Sequence, residues 1–175
     1  MKKLLVIFAF AIIGTTNAFS QEQTNTLYDV YLGMALDAYA DGNYESSINW
    51  LSKASKYAKE NFGEQHLTYA ISLDGFAACY GTLGDYTKAI EFGTKALETH
   101  KSVLGESHPD YATSLNNLAG YYGYLGDYTK AIELSTKALE IRKSALGEDH
   151  PDYALSLNNL ANYYGYLGDY TKAIE

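Results

Sequence analysis

Between Pro109 and Leu125 the apolar residues Leu115, Leu118, Ala119 and Tyr122 fall at i, i+3, i+4 and i+7, the spacing that lines one face of a 3.6-residue helix. Beyond Gly126 a second stripe follows: Tyr128, Ala131, Ile132, Ala138 and Leu139. The pattern predicts an antiparallel helix pair. Pro109 suits a first turn, where no amide hydrogen bond is lost, and Asp110 beside it favours the positive end of the helix dipole. Gly126 fits a left-handed helix end, and Gly147 is expected to close the second helix in the same way. Neither helix can bury its stripe alone, so the pair requires neighbours.

The chain supplies them by repetition. Gly84-Asp85-Tyr86, Gly126-Asp127-Tyr128 and Gly168-Asp169-Tyr170 recur at intervals of 126 − 84 = 42 and 168 − 126 = 42 residues, with Gly42-Asn43-Tyr44 one period earlier. His66, His108 and His150 end a second marker, FGEQH, LGESH and LGEDH, in the same step. Self-similarity at this period means stacked supersecondary units that share one core. The expected fold is all-α, a solenoid of stacked antiparallel helix pairs, with units at about 28–66, 67–108, 109–150 and a truncated 151–175. Small Ala119, Ala131 and Ala138 let backbones approach, while Leu118 and Tyr122 fill the space between.

Composition bears mainly on location and partners. Met1-Lys2-Lys3, the apolar run Leu4 to Ile13 and the small polar stretch to Ser20 read as a secretory signal peptide at 1–20, cut after Ala18 or after Ser20, with a linker at 21–27. Ten apolar residues span about 15 Å as a helix, roughly half a bilayer core, which argues against a membrane anchor in this segment. The expected location is periplasmic or extracellular. Loss of Lys2 and Lys3 takes the formal charge from −8 to −10, so nucleic acid is an unsuitable partner. The single Cys79 sits in a helical pattern and reads as a small buried residue.

Chemistry-bearing residues are absorbed by the repeat. One histidine per unit spreads imidazoles along the solenoid, whereas a metal gathers several ligands about 2 Å from one ion. Residues 66, 108 and 150 are read as helix-start histidines, and His100, which aligns with Arg142, as surface. No nucleophile elbow, zinc-binding helix or phosphate-cradling loop occurs. No catalysis, metal or cofactor is expected in this segment. Glu91 with Lys95, and Glu133 with Lys137, are spaced as i, i+4 ion pairs on an exposed face.

Comparison of the two most similar units isolates a second face. Between 109–125 and 151–167 only two positions differ: Thr113 against Leu155, and Gly120 against Asn162. Seven residues apart, they share a helix face with Asn116 and Gly123 and with Asn158 and Gly165, away from the predicted core stripe. Asparagine offers donors and acceptors to a peptide backbone. Gly123 costs about 1 kcal/mol of helix propensity and leaves room for another chain to approach.

Leu115, Leu118, Ala119, Tyr122, Gly126, Tyr128, Ala131 and Ala138 together resemble the tetratricopeptide repeat. LGEDHPDYALSLNNLANYYGYLGDYTKAIE is similar to its 42-residue kinesin-light-chain-like variety, also found in bacterial proteins. The resemblance implies a concave groove, lined by the first helix of each unit, that binds an extended peptide or protein. The groove residues it implies are Thr113, Asn116, Asn117, Tyr124, Leu155, Asn158, Asn159, Asn162 and Tyr166. It also implies a second reading, in which the chain is the recognition arm of a longer signalling receptor or caspase-like (CHAT) protease whose effector lies beyond residue 175. Leu157 and Leu160, on the last full helix, are expected to be partly exposed and to favour self-association.

Overall fold

A computed structural model describes residues 27–174. The expected signal peptide, and residues 21–26 of the expected linker, lie outside the described residues. Eight helices follow in order: α1 (Leu27–Ala40), α2 (Tyr44–Phe62), α3 (Leu67–Thr82), α4 (Tyr86–Leu104), α5 (Pro109–Tyr124), α6 (Tyr128–Leu146), α7 (Pro151–Leu167) and α8 (Tyr170–Ile174). Each packs on the next along the chain, and α5 also meets α7 directly. The described residues thus form the all-α solenoid that the periodicity predicts.

Two alternating caps start the helices. Asn43, Asp85 and Asp127 accept a hydrogen bond from the amide three residues on, Ser46, Lys88 and Lys130, at 3.0–3.1 Å. His66, His108 and His150 cap α3, α5 and α7 through Nδ1, which accepts from the amide two residues on, that of Thr68, Asp110 and Asp152, at 3.1–3.3 Å. A cap of this kind satisfies an amide that the helix itself leaves bare, worth about 1 kcal/mol. The recurring histidines therefore have a local structural task. Gly126 has φ 84°, but Gly147 combines φ 86° with ψ 166°. The chain consequently leaves α6 extended instead of continuing into the expected left-handed turn.

The central core gathers Leu115, Leu118, Ala119, Ala131, Leu134 and Ala138, with Tyr122 only half-buried at its margin. Its most deeply buried aromatic, ahead of Tyr111 and Tyr163, is Tyr121, one residue off the predicted stripe. The reason lies on α3: a Cβ at Gly81 would stand 2.5 Å from Tyr121 Cε1, so the absence of a side chain at 81 opens the space that the ring fills. Tyr163 fills the corresponding space beside Gly123 one unit later.

Two further expectations are corrected. His100 and Arg142 are buried, at 3% and 2% exposure, because each finds polar partners on neighbouring helices. Lys95 pairs with Glu91 at 2.7 Å as expected. Lys137, however, turns away from Glu133 to Glu106 in the loop before α5, and Glu133 is bonded by Lys130 at 2.7 Å. Cys79 is buried as expected, its thiol donating to Ser47 Oγ at 3.3 Å.

Candidate functional site

A cleft of about 210 Å³ opens between the C-terminal halves of α5 and α7. Its floor is Gly120 and Gly123 of α5, its far wall Asn159, Asn162, Tyr163 and Tyr166 of α7, and its rim Tyr124 and Tyr128. The volume falls below the roughly 300–1,000 Å³ of a small-molecule pocket, so the cleft suits one or two side chains or a short run of backbone.

The local sequence explains this shape. Glycines at 120 and 123 keep the α5 surface low, and Asn162, the residue that replaces glycine in the next unit, projects an amide into the space. Tyrosines at the edge are held by stacking across units. Tyr86 lies 4.8 Å from Tyr124, their planes 3° apart, and Tyr128 lies 5.2 Å from Tyr166 at 14°. Each stack fixes a ring at low entropic cost while leaving one face available: Tyr124 is 41% exposed and Tyr166 58%.

The cleft's chemistry is that of neutral hydrogen-bonding groups. Burial pushes the Tyr163 phenol up to about 12. Burial, with the neighbouring Tyr86 and Tyr166, also raises that of Tyr124. These phenols stay protonated near neutrality, presenting donors and apolar faces but no base. Asparagine amides complete a surface able to read a peptide backbone from both its N–H and C=O sides.

The nine groove residues implied by the sequence separate into four sets. Tyr124, Asn159, Asn162 and Tyr166 come together in the cleft. Thr113 and Asn117 line a smaller recess between α3, α4 and α5. Asn116 is 8% exposed and accepts a hydrogen bond from Asn159 Nδ2 at 3.3 Å, which makes it a junction residue between α5 and α7. Leu155 and Asn158 are exposed on α7 but line neither cavity.

That separation has one cause. The face of α5 carrying Thr113, Asn116, Gly120 and Gly123 is largely the face toward the next unit. Arg142 Nη2 donates to Thr113 Oγ1 at 3.1 Å, and the chain approaching Gly123 is its own Tyr163. Tyr128 and Tyr163, not among the nine, belong to the cleft as well. Tyr128 was legible in the Gly-Asp-Tyr marker, though only as a packing residue.

Comparison with known proteins agrees with this architecture. The sequence profile of the tetratricopeptide repeat matches residues 26–102, 77–144 and 110–175. No curated protein matches the chain. Among solved structures, BtubC (BKLC) from P. vanneervenii superposes with a TM-score of 0.79 at 26% identity, over 88% of this chain and 61% of that one. A putative kinesin light chain of Podosopora anserina with nearly identical TPR-like repeats gives 0.76 at 21%, over 83% and 69%. The apo form of RapI gives 0.76 at 21%, over 93% and 57%. The two at 21% identity share the fold alone, and this chain spans about three-fifths of the length of BtubC.

Proposed function

Because the chain belongs to the tetratricopeptide-repeat family, we propose that it is an exported scaffold that holds an extended peptide or protein segment on the concave side, where its first helices meet. The observation that carries this reading is the cleft between α5 and α7, where two asparagine amides face tyrosine rings already fixed by stacking. A ligand strand laid there finds donors and acceptors for its backbone and flat apolar surface for one or two side chains. Pre-ordered rings lower the entropic cost of binding. The work is noncovalent recognition by asparagine amides and tyrosine rings.

Selection of displayed random peptides against the full chain tests the proposal. Enriched peptides should bind the paired variant Asn162→Ala/Tyr166→Ala at least about tenfold more weakly, the scale of losing one good contact residue. The melting temperature should hold, because Tyr166 is mostly exposed. Failure to enrich any peptide, or equal binding by the variant, would reject the groove. Export rests on the charged and apolar order of residues 1–20. A secreted product beginning at Phe19 or Gln21 is the expected result of terminal sequencing, and an uncut product retained in the cytoplasm would reject export.

A further inference from the structure

The three junctions between units treat one backbone carbonyl differently. Thr68, Asp110 and Asp152 stand 42 residues apart in the first turns of α3, α5 and α7. Thr68 O accepts from the Tyr28 hydroxyl at 2.7 Å, and Asp152 O accepts from Arg142 Nη1 at 3.0 Å. At Asp110 O no side-chain donor is present among the described residues. The residue aligned with Arg142 is His100, which is too short to repeat the contact. Its Nε2 instead donates to Asp74 Oδ2 at 2.8 Å, and its Nδ1 is left buried without a partner.

The exchange is coordinated. Arg142 also donates to Ser156 Oγ at 2.7 Å and Thr113 Oγ1 at 3.1 Å. One unit earlier the serine persists as Ser114, the threonine becomes Ile71, and Asn116 is matched by Asp74. The space that a guanidinium occupies at one junction is thus a partly open recess of about 50 Å³ at the other, large enough for more than one water. His100, Asp74, Asp110, Thr113, Ser114 and Asn117 supply its polar wall, and Leu67, Ile71 and Leu104 the rest.

We propose that this recess receives the guanidinium of an arginine side chain carried by a peptide in the groove, an inference that rests on the peptide reading above. Two carboxylates, Asp74 and Asp110, favour a cation. Above its raised pKa the His100 imidazole is neutral, donating through Nε2 to Asp74 and offering its Nδ1 lone pair to an N–H. Arg142 shows within the same protein how a planar fork spans the carbonyl and the serine hydroxyl together. An ammonium is a single, strongly hydrated point and fits the apolar wall less well.

The test is titration of the full chain with N-acetyl-L-argininamide at a pH above the His100 transition, followed by the His100 imidazole resonances and by calorimetry. A saturable His100 shift is expected, absent with the neutral N-acetyl-L-citrullinamide. Asp110→Asn should weaken binding about tenfold, the scale of one charged hydrogen bond. His100→Arg should abolish binding while folding normally, since the protein then fills the recess itself. No His100 shift, an equal response to the citrulline compound, or undiminished binding by His100→Arg would overturn the inference. The groove stands or falls separately: argininamide bound by a chain that enriches no peptide leaves the recess intact and the groove rejected. Enriched peptides that bind Asp110→Asn and His100→Arg as tightly as the wild type do the reverse.

Discussion

The ring of Tyr163 lies against α5 so closely that a Cβ at Gly123 would stand 2.7 Å from its Cε1. Tyr121 and Gly81 repeat the relationship one unit earlier at 2.5 Å. Gly123→Val should therefore force the buried ring aside, at a net cost of about 1–3 kcal/mol from overpacking. At Gly165, the third member of the series, nothing lies within 4 Å of a Cβ. Gly165→Ala should raise stability by about 0.5–1 kcal/mol through helix propensity. Urea unfolding of both variants checks the pair, and a loss of equal size at 123 and 165 would contradict the ring-on-glycine packing.

The buried contact between His100 and Asp74 predicts a pH dependence. Burial opposes the imidazolium, but the hydrogen bond and charge of Asp74, with the charge of Asp110, outweigh it and hold the group above its ordinary value. A raised folded pKa means that the native state binds the proton more tightly. The contribution is complete below the unfolded value of about 6.5 and is lost as pH climbs through the folded one. The stability of wild type relative to His100→Gln should fall over the pH range above about 6.5. A constant difference across that window would show that the pair does not ionise this way.

Cys79 should be chemically silent in the folded protein. Burial pushes its thiol up, against the opposing hydrogen bond with Ser47, so little thiolate is exposed to a reagent. Labelling by a thiol-reactive dye should be slow under native conditions and rapid in denaturant. Its native rate should follow the population of opened molecules. Fast native labelling would place the sulfur at the surface.

Asn116 and Asn158 occupy equivalent places in sequence but unlike places in space. Asn116→Ala removes the acceptor for Asn159 in a nearly closed junction and should cost about 1 kcal/mol or more. Asn158→Ala, at an exposed position, should stay within about 0.5 kcal/mol of wild type. Melting curves of the two single variants distinguish these outcomes directly.

The helices were legible because spacing, glycines and proline each act within a few residues. Even the roles of His108 and His150 at helix starts could be read this way. The deep position of Tyr121 could not, since it depends on an absent side chain at Gly81, forty residues earlier. For His100 the obstacle was similar: alignment with Arg142 suggested a polar surface, whereas Asp74 on another helix makes burial tolerable. Periodicity identified the shared face of Thr113, Asn116, Gly120 and Gly123, but a single helix cannot disclose whether such a face meets ligand or the next unit. Tyr124, Asn159, Asn162 and Tyr166 converge only once α7 has been laid against α5.

Because each helix rests chiefly on its immediate neighbours in the chain, a tensile load applied between Leu27 and Ile174 passes through interfaces arranged in series. Such a ribbon behaves as a soft spring: small hinge openings add up to a large extension while every hairpin stays intact.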